Sequence, residues 1–321
     1  MSVLELRDLS VTYSTEAGPV PAVRGVNLSI DAGDTVGLAG ESGCGKSTIA
    51  GAVLRLLPAG TQVTGEVLLD GEDVYAMKPG RLRAVRWTNA AIVFQGALHS
   101  LNPVHRVGAQ IEEAIRLHGS SDHRAARRRA GELLERVGIP ASRADRFPHQ
   151  LSGGQRQRVL IALALACDPK VLIADEPTTA LDVMVQAQVL ALLAELQRDH
   201  GLAMLFITHD LSVLTSTCER LAVMYAGRVV EQGPSDLVFS DPQHPCSRAL
   251  ASAFPTIGDP SSRLHPTGLA GDPPDPTALP SGCPFHPRCA MATDECTTTD
   301  VELRRVAPGR HAACVHVGVR A

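Results

Sequence analysis

Gly40-Glu41-Ser42-Gly43-Cys44-Gly45-Lys46-Ser47-Thr48 constrains this chain more than any other stretch. It has the form G-x-x-x-x-G-K-[ST], follows an apolar run at 35–39 and opens a helical segment. A strand, a glycine loop and a helix in that order belong to a sheet with helices packed on it. The glycines let backbone N–H groups turn inward around phosphates, and the helix start adds partial positive charge. Lys46 is then placed to reach the β- and γ-phosphates of a nucleotide, and Ser47 to ligate Mg²⁺. Cys44 occupies a variable position of the loop, where a small filler is a simpler reading than a redox group.

The pattern around the loop supports that fold. Residues 3–30 read as short strands with a turn at Gly18-Pro19, and the helix from Lys46 runs toward Leu57. Residues 66–69 and 90–94 read as short strands. From 106 to 167 the pattern is helical, with Ile111, Ala114 and Ile115, then Leu133, Leu134 and Val137, at three- and four-residue spacing. Arg124 to Arg129 reads as a solvated helix face. Strand 171–174 ends at Asp175, helix 183–199 follows, strand 203–207 ends at Thr208-His209, and a further strand covers 221–225. Such alternation predicts a mostly parallel sheet with its functional loops at the carboxyl ends of strands.

Two of those strand ends carry acids or bases. Val171-Leu172-Ile173-Ala174-Asp175-Glu176 is an apolar strand ending in two carboxylates, 21 residues past Gln155. Asp175 suits the Mg²⁺ shell, and Glu176 suits the general base that polarises an attacking water. A lone histidine is more often structural than catalytic, but His209 ends the next strand in the form Ile207-Thr208-His209-Asp210, where it could reach a γ-phosphate. Gln95, after strand 90–94, could contact Mg²⁺ or the attacking water, though by spacing alone it is an ordinary loop glutamine.

Composition bounds the rest. At 321 residues and 33.9 kDa the chain accommodates one large domain and a smaller one. A 44% hydrophobic content supplies a core, filled by Ala, Leu and Val because aromatics are only 3%. Net charge of −4 gives no drive toward nucleic acid. No secretory pattern opens the sequence, and no apolar run approaches the ~20 residues of a membrane helix. These features predict a cytosolic chain, in which eight cysteines point to metal or redox chemistry before disulfides. Composition shifts near Pro242, and nine prolines fall within residues 255–287. That stretch reads as an irregular wrap or linker. There is no internal repeat. Cys283-x5-Cys289-x6-Cys296-x17-Cys314 lies in or just beyond it; four thiolates suit an iron–sulfur cluster or tetrahedral zinc, and unliganded thiols remain an option. Absence of C-x2-C pairs weakens the zinc reading. Cys167 and Cys218 read as buried apolar fillers.

Together with Leu151-Ser152-Gly153-Gly154-Gln155, these residues resemble the ATP-binding cassette (ABC) ATPases over roughly residues 3–240. The match runs through Tyr13, the phosphate loop 40–48, Gln95, the signature 151–155, Asp175 and Glu176, Thr179-Ala180-Leu181-Asp182 and His209, in the family's order. The resemblance implies an α/β fold: a RecA-like P-loop NTPase core, an antiparallel β subdomain, and a helical signature subdomain at about 96–160. A small irregular Cys-rich domain would follow at 241–321. It also implies that Tyr13 stacks on adenine. ATP would be sandwiched between Gly40, Ser42, Gly43, Cys44, Gly45, Lys46, Ser47 and Thr48 of one subunit and Ser152, Gly153, Gly154 and Gln155 of another, with Asp182 nearby.

Ser100-Leu101-Asn102-Pro103, Glu176-Pro177-Thr178-Thr179, Met224-Tyr225-Ala226-Gly227-Arg228 and His244-Pro245 narrow the resemblance to the dipeptide/oligopeptide (and nickel) importer ATPases. The tail Gly282-Cys283-Pro284-Phe285-His286-Pro287-Arg288-Cys289 resembles that subfamily's extension, which implies a [4Fe–4S] cluster on Cys283, Cys289, Cys296 and Cys314, ahead of zinc. The implied partners are a second cassette, favoured as a paralogue, two transmembrane permeases and an extracellular solute-binding protein. Nucleic acid is not among them. The implied location is peripheral, on the cytoplasmic face of the membrane. A soluble ABC ATPase in a nucleic-acid or translation role is the alternative, without the long insertions usual there. Gly96-Ala97-Leu98-His99 and Cys246 depart from the importer pattern.

Overall fold

The structure is a computed structural model that describes residues 2–96, 100–119, 122–179, 181–253, 269 and 271–317. It opens with two long strands, β1 (Ser2–Thr15) and β2 (Gly18–Asp31), where the sequence pattern predicts short ones. The in–out alternation breaks at Arg7-Asp8, but the strand does not end there. Asp8 and Gly25 take positive φ of 47° and 60°. Asp8 gives its N–H to Asn27 Oδ1 at 2.9 Å and Gly25 gives its N–H to Ser10 Oγ at 2.8 Å. Side chains thus satisfy the backbone where the pleat is locally distorted. The turn falls at 16–17, ahead of Gly18-Pro19.

Strand β3 (Thr35–Gly40) is buried along its whole length and leads into the helix Lys46–Val53. That helix stops short of Leu57. Leu56 gives its N–H to the Gly51 carbonyl at 2.8 Å, and Arg55 turns to φ 52° just before Pro58. Next come β4 (Gln62–Leu69), β5 (Glu72–Asp73), the helix Pro79–Val85 and β6 (Ala90–Val93). The helices Val107–His118, His123–Arg136 and Gly153–Ala164 occupy most of the segment whose apolar spacing is helical, but residues 137–152 between the last two form turns, with short 3-10 pieces at Ala141–Asp145 and Pro148–Gln150. Strand β7 (Val171–Asp175), helix Val183–His200 and β8 (Ala203–Ile207) follow. The helix Leu211–Thr217, then β9 (Arg220–Tyr225) and β10 (Arg228–Pro234), precede two short helices, Ser235–Ser240 and Pro245–Ser252. Last come the helix Asp294–Thr298 and the hairpin β11 (Arg304–Ala307) and β12 (Arg310–Ala312).

The chain divides into two compact units, whose boundaries cut through β1, β2 and β4. One comprises the described residues of Met1–Glu5, Ser29–Asp34 and Leu68–Ile207. In it β6, β7 and β8 run parallel, with Ala91 opposite Leu172 and Asp175 opposite Ile207. Its helices bury Ile111, Ala114, Ile115, Leu133, Leu134 and Val137, as their spacing predicts. Arg124, Arg127 and Arg128 face water, and Arg129 pairs with Asp168 at 2.7 Å.

The other unit comprises the described residues of Leu6–Leu28, Thr35–Val67 and Thr208–Ala321. Strands β3 and β9 are parallel, with Leu38 opposite Ala222, and β10 returns antiparallel to β9. The tail is not wholly irregular: β12 adds to β10 with Glu231 opposite Ala312, and β11 adds to β12. Buried Glu231 fixes this junction. Its carboxylate accepts the N–H groups of Gln243 and His244 at 2.9 and 2.8 Å, and Arg310 Nη2 lies 3.4 Å away. The two units are α/β, with mixed sheets and helices. Among the described residues, no helix is long and apolar enough to cross a membrane.

Candidate functional site

The phosphate-type loop forms where β3 leaves its sheet. Gly40 has φ 152°, and a Cβ there would sit 2.4 Å from the Met224 carbonyl oxygen. Gly45, which starts the helix, has φ 107°, and a Cβ there would sit 2.3 Å from the Ala22 oxygen. Neither position admits a side chain, so the loop turns where the backbone is crowded. Lys46 is buried and folds back on the loop, giving its Nζ protons to the carbonyls of Gly40 and Glu41 at 2.7 and 2.8 Å. Ser42, Gly43 and Ser47 are exposed. Tyr13 gives its hydroxyl to Thr48 Oγ1 at 3.1 Å, tying β1 to the first helical turn. Burial pushes the Cys44 thiol up despite Lys46 beside it, which suits a filler rather than a reactive thiolate. Cys218 is a buried filler, pushed up to about 12, but Cys167 is only half-buried.

The acidic strand end belongs to the other unit. Strand β7 is buried throughout and delivers Asp175 at its last position. Glu176 then turns to φ 46° and gives its N–H to the Ile207 carbonyl at 2.8 Å. Its Oε2 accepts the Thr179 hydroxyl at 2.6 Å and the Gln95 amide at 3.4 Å. Gln95 and Glu176 are therefore brought together, as their strand ends predict. Thr179 is a partner that sequence reasoning assigned only to the following loop. Its position three residues past the acid is the signal for such a bond.

In the same unit the signature opens the helix Gly153–Ala164 with a capping box. Ser152 Oγ accepts the Gln155 N–H at 3.3 Å, and Gln155 Oε1 accepts the Ser152 N–H at 3.1 Å. Ser152 and Gly153 are exposed. A Cβ on Gly154 would meet Val185 Cγ1 at 2.3 Å, so the helix Val183–His200 passes close behind. Asp182 caps that helix through the Val185 N–H at 3.0 Å. Ala180, between Thr179 and Leu181, lies outside the described residues, as do residues 97–99 of the loop after Gln95. In the second unit His209 is exposed, follows Thr208, and precedes Asp210, which caps the helix Leu211–Thr217.

Cys283, Cys289, Cys296 and Cys314 all line one small cavity with His286 and His316. None is in a disulfide, and Cys296 Sγ lies 3.6 Å from His316 Nε2. Burial, with the neighbouring thiols, pushes Cys283, Cys289 and Cys314 up. Among the described residues, no group of three or more His, Cys, Asp or Glu side chains is arranged to hold a metal ion. The donor chemistry of a soft-metal site is present without converged ligands.

Comparison with known proteins accounts for both parts of the chain. Residues 23–179 match a family described as "ABC transporter", and residues 230–296 match "Oligopeptide/dipeptide transporter, C-terminal region". A putative peptide import ATP-binding protein of Brucella abortus is 46% identical over 97% of this chain and 94% of its own length. The dipeptide transport ATP-binding protein DppD of Escherichia coli is 43% identical over 98% and 96%. The dimeric cassette MJ0796, a bacterial ABC transporter cassette by its description, superposes with a TM-score of 0.65 at 31% identity, over 72% of this chain and 98% of that one. These relatives do not favour a soluble, non-transport role. The chain belongs to the ATP-binding, ATP-hydrolysing subunits of ABC importers of the peptide and dipeptide family.

Proposed function

We propose that this chain is one half of a paired ATPase that drives import of peptides or related small solutes by closing around ATP. Residues 1–240 form the nucleotide-binding cassette and 241–321 its extension. Gly40, Ser42, Gly43, Cys44, Gly45 and Thr48 cradle the triphosphate, Lys46 bears on the β- and γ-phosphates, and Tyr13 faces the adenine. Mg²⁺, when bound, neutralises phosphate charge, and Ser47, Gln95 and Asp175 would hold it. Asp175 suits that role as a buried carboxylate at a strand end. Glu176 accepts a proton from the attacking water, Gln95 orients that water, and His209 steadies the γ-phosphate. Ser152, Gly153, Gly154 and Gln155 close on ATP held by the partner cassette, with Asp182 at the same junction. A helix start with exposed Ser152 and Gly153 suits phosphate.

The grip on Glu176 carries this reading. Its carboxylate is fixed by Thr179 and Gln95 on a strained turn, and strained backbone with a held carboxylate suits a general base.

The partners in this reading are a second cassette, a paralogue rather than a copy, two permeases and an extracellular binding protein. The chain sits peripherally at the cytoplasmic face, and its net charge of −4 fits the absence of a nucleic-acid partner. Cys283, Cys289, Cys296 and Cys314 would hold a [4Fe–4S] cluster, ahead of zinc, once their thiolates converge; four disulfide-free thiols around one cavity support this donor set. Purification of the tagged chain from membranes tests the assembly. Two permeases and a second cassette should accompany it, and nucleic acid in their place would overturn the reading.

A further inference from the structure

We propose that Arg288 is a positioning residue for ATP, through which the four-cysteine segment fixes and neutralises Glu41 of the phosphate loop. Arg288 stands 247 positions after Glu41 and grips its carboxylate as a fork, Nη1 to Oε2 at 2.6 Å and Nη2 to Oε1 at 2.9 Å. The guanidinium is itself held. Nη1 reaches the Tyr225 hydroxyl at 3.3 Å, and Nη2 reaches the Gly271 carbonyl at 2.9 Å. Its Cζ lies 5.9 Å from the Tyr225 ring centroid, and Phe285 packs edge-on to the same ring. The backbone on either side belongs to the cysteine segment: Cys283 gives its N–H to the Cys296 carbonyl at 2.9 Å, and Arg288 to that of Phe285 at 3.0 Å.

The pair is shielded, with the Arg288 side chain 7% exposed and that of Glu41 19%. Salt therefore screens it little. Two consequences follow for the loop. Glu41 accepts Lys46 Nζ on its own carbonyl at 2.8 Å, so the residue clamped by Arg288 also sets where the lysine rests. The second consequence is electrostatic. The loop receives a polyanion, and a bare carboxylate at its second residue opposes that charge; the guanidinium cancels it. A lysine offers no planar fork and replaces this contact poorly.

The proposal rests on residues 40–48 being the phosphate loop for ATP, so Lys46→Ala is the control. ATP affinity by titration calorimetry, steady-state ATPase kinetics and melting temperature are measured on the full chain. Arg288→Gln should raise the Kd and KM for ATP roughly tenfold, the scale of one unpaired, shielded charge beside a polyanion. Its kcat should stay within about twofold of the unaltered protein, because binding rather than chemistry is lost. The neutral pair Glu41→Gln with Arg288→Gln should recover most of the affinity, as two coupled residues do in a double-mutant cycle. An unchanged KM in Arg288→Gln overturns the proposal. So does a parallel fall in kcat and melting temperature with a raised KM that the double variant fails to restore. Full ATP affinity in Lys46→Ala would overturn the loop reading as well, and is told apart by that variant alone.

Discussion

Thr179 gives its hydroxyl to Glu176 Oε2 at 2.6 Å, across a turn in which Glu176 holds a left-handed φ of 46°. A non-glycine residue in that region costs on the order of 1–3 kcal/mol. The bond from Glu176 N–H to the Ile207 carbonyl, at 2.8 Å, helps hold the turn. The backbone aims the carboxylate and the hydroxyl fixes its rotamer.

Thr179→Val should therefore lower kcat for ATP hydrolysis by roughly tenfold, the factor of one hydrogen bond to a charged group. KM for ATP should barely move, since the lost bond acts on the Glu176 carboxylate and leaves the residues proposed to cradle the triphosphate unaltered. Steady-state kinetics check both values.

Ser152→Ala should act twice. It removes one half of the capping box and should cost about 1 kcal/mol of unfolding free energy, read by urea denaturation. It should also impair hydrolysis of ATP held by the other cassette. Pairing the Ser152→Ala chain with a partner cassette whose own phosphate-loop lysine is replaced separates the two effects: both lesions then fall at one composite site, and the second site should stay active.

How much of this was legible in the sequence depends on range. The loop at Gly40–Thr48, the acids ending β7 and the cap at Ser152 are local, and strand–glycine–helix order or a four-residue motif encodes each. Strands β1 and β2 read as short because Asp8 and Gly25 break the alternation, and Asn27 and Ser10 repair it from the neighbouring strand. The pairing of β12 with β10 and the Arg288–Glu41 fork join residues far apart in sequence, which no periodicity predicts. Burial of Glu231 is likewise invisible without its partners Gln243, His244 and Arg310.

His244 gives the extension a pH limit. It is fully buried, accepts the Cys246 N–H at Nδ1 at 3.0 Å, and burial lowers its pKa from 6.5 to about 4. The folded state then binds this proton less readily than the unfolded chain. The associated stability is present above pH 6.5 and is lost as pH falls from 6.5 toward 4. The loss should reach about 3 kcal/mol by the linkage relation. His244→Asn, which keeps the cap, should flatten this limb in urea unfolding at pH 7 and pH 5.

Anaerobic purification followed by iron, sulfide and zinc analysis tests the cysteine cavity. About four irons and four sulfides per chain are expected for a [4Fe–4S] cluster. Cys289→Ser should lower that content. A colourless protein with one zinc per chain would assign the cavity to zinc, and one without metal would assign it to free thiols.

Glu176→Gln tests the central claim most directly, with ATP hydrolysis and the oligomeric state measured on the same sample. The carboxylate is lost while the phosphate loop is untouched. ATP should still bind, cassettes should accumulate as a closed pair, and hydrolysis should fall by about a hundredfold or more, as for loss of a general base. Hydrolysis at the unaltered rate would contradict the assignment of Glu176.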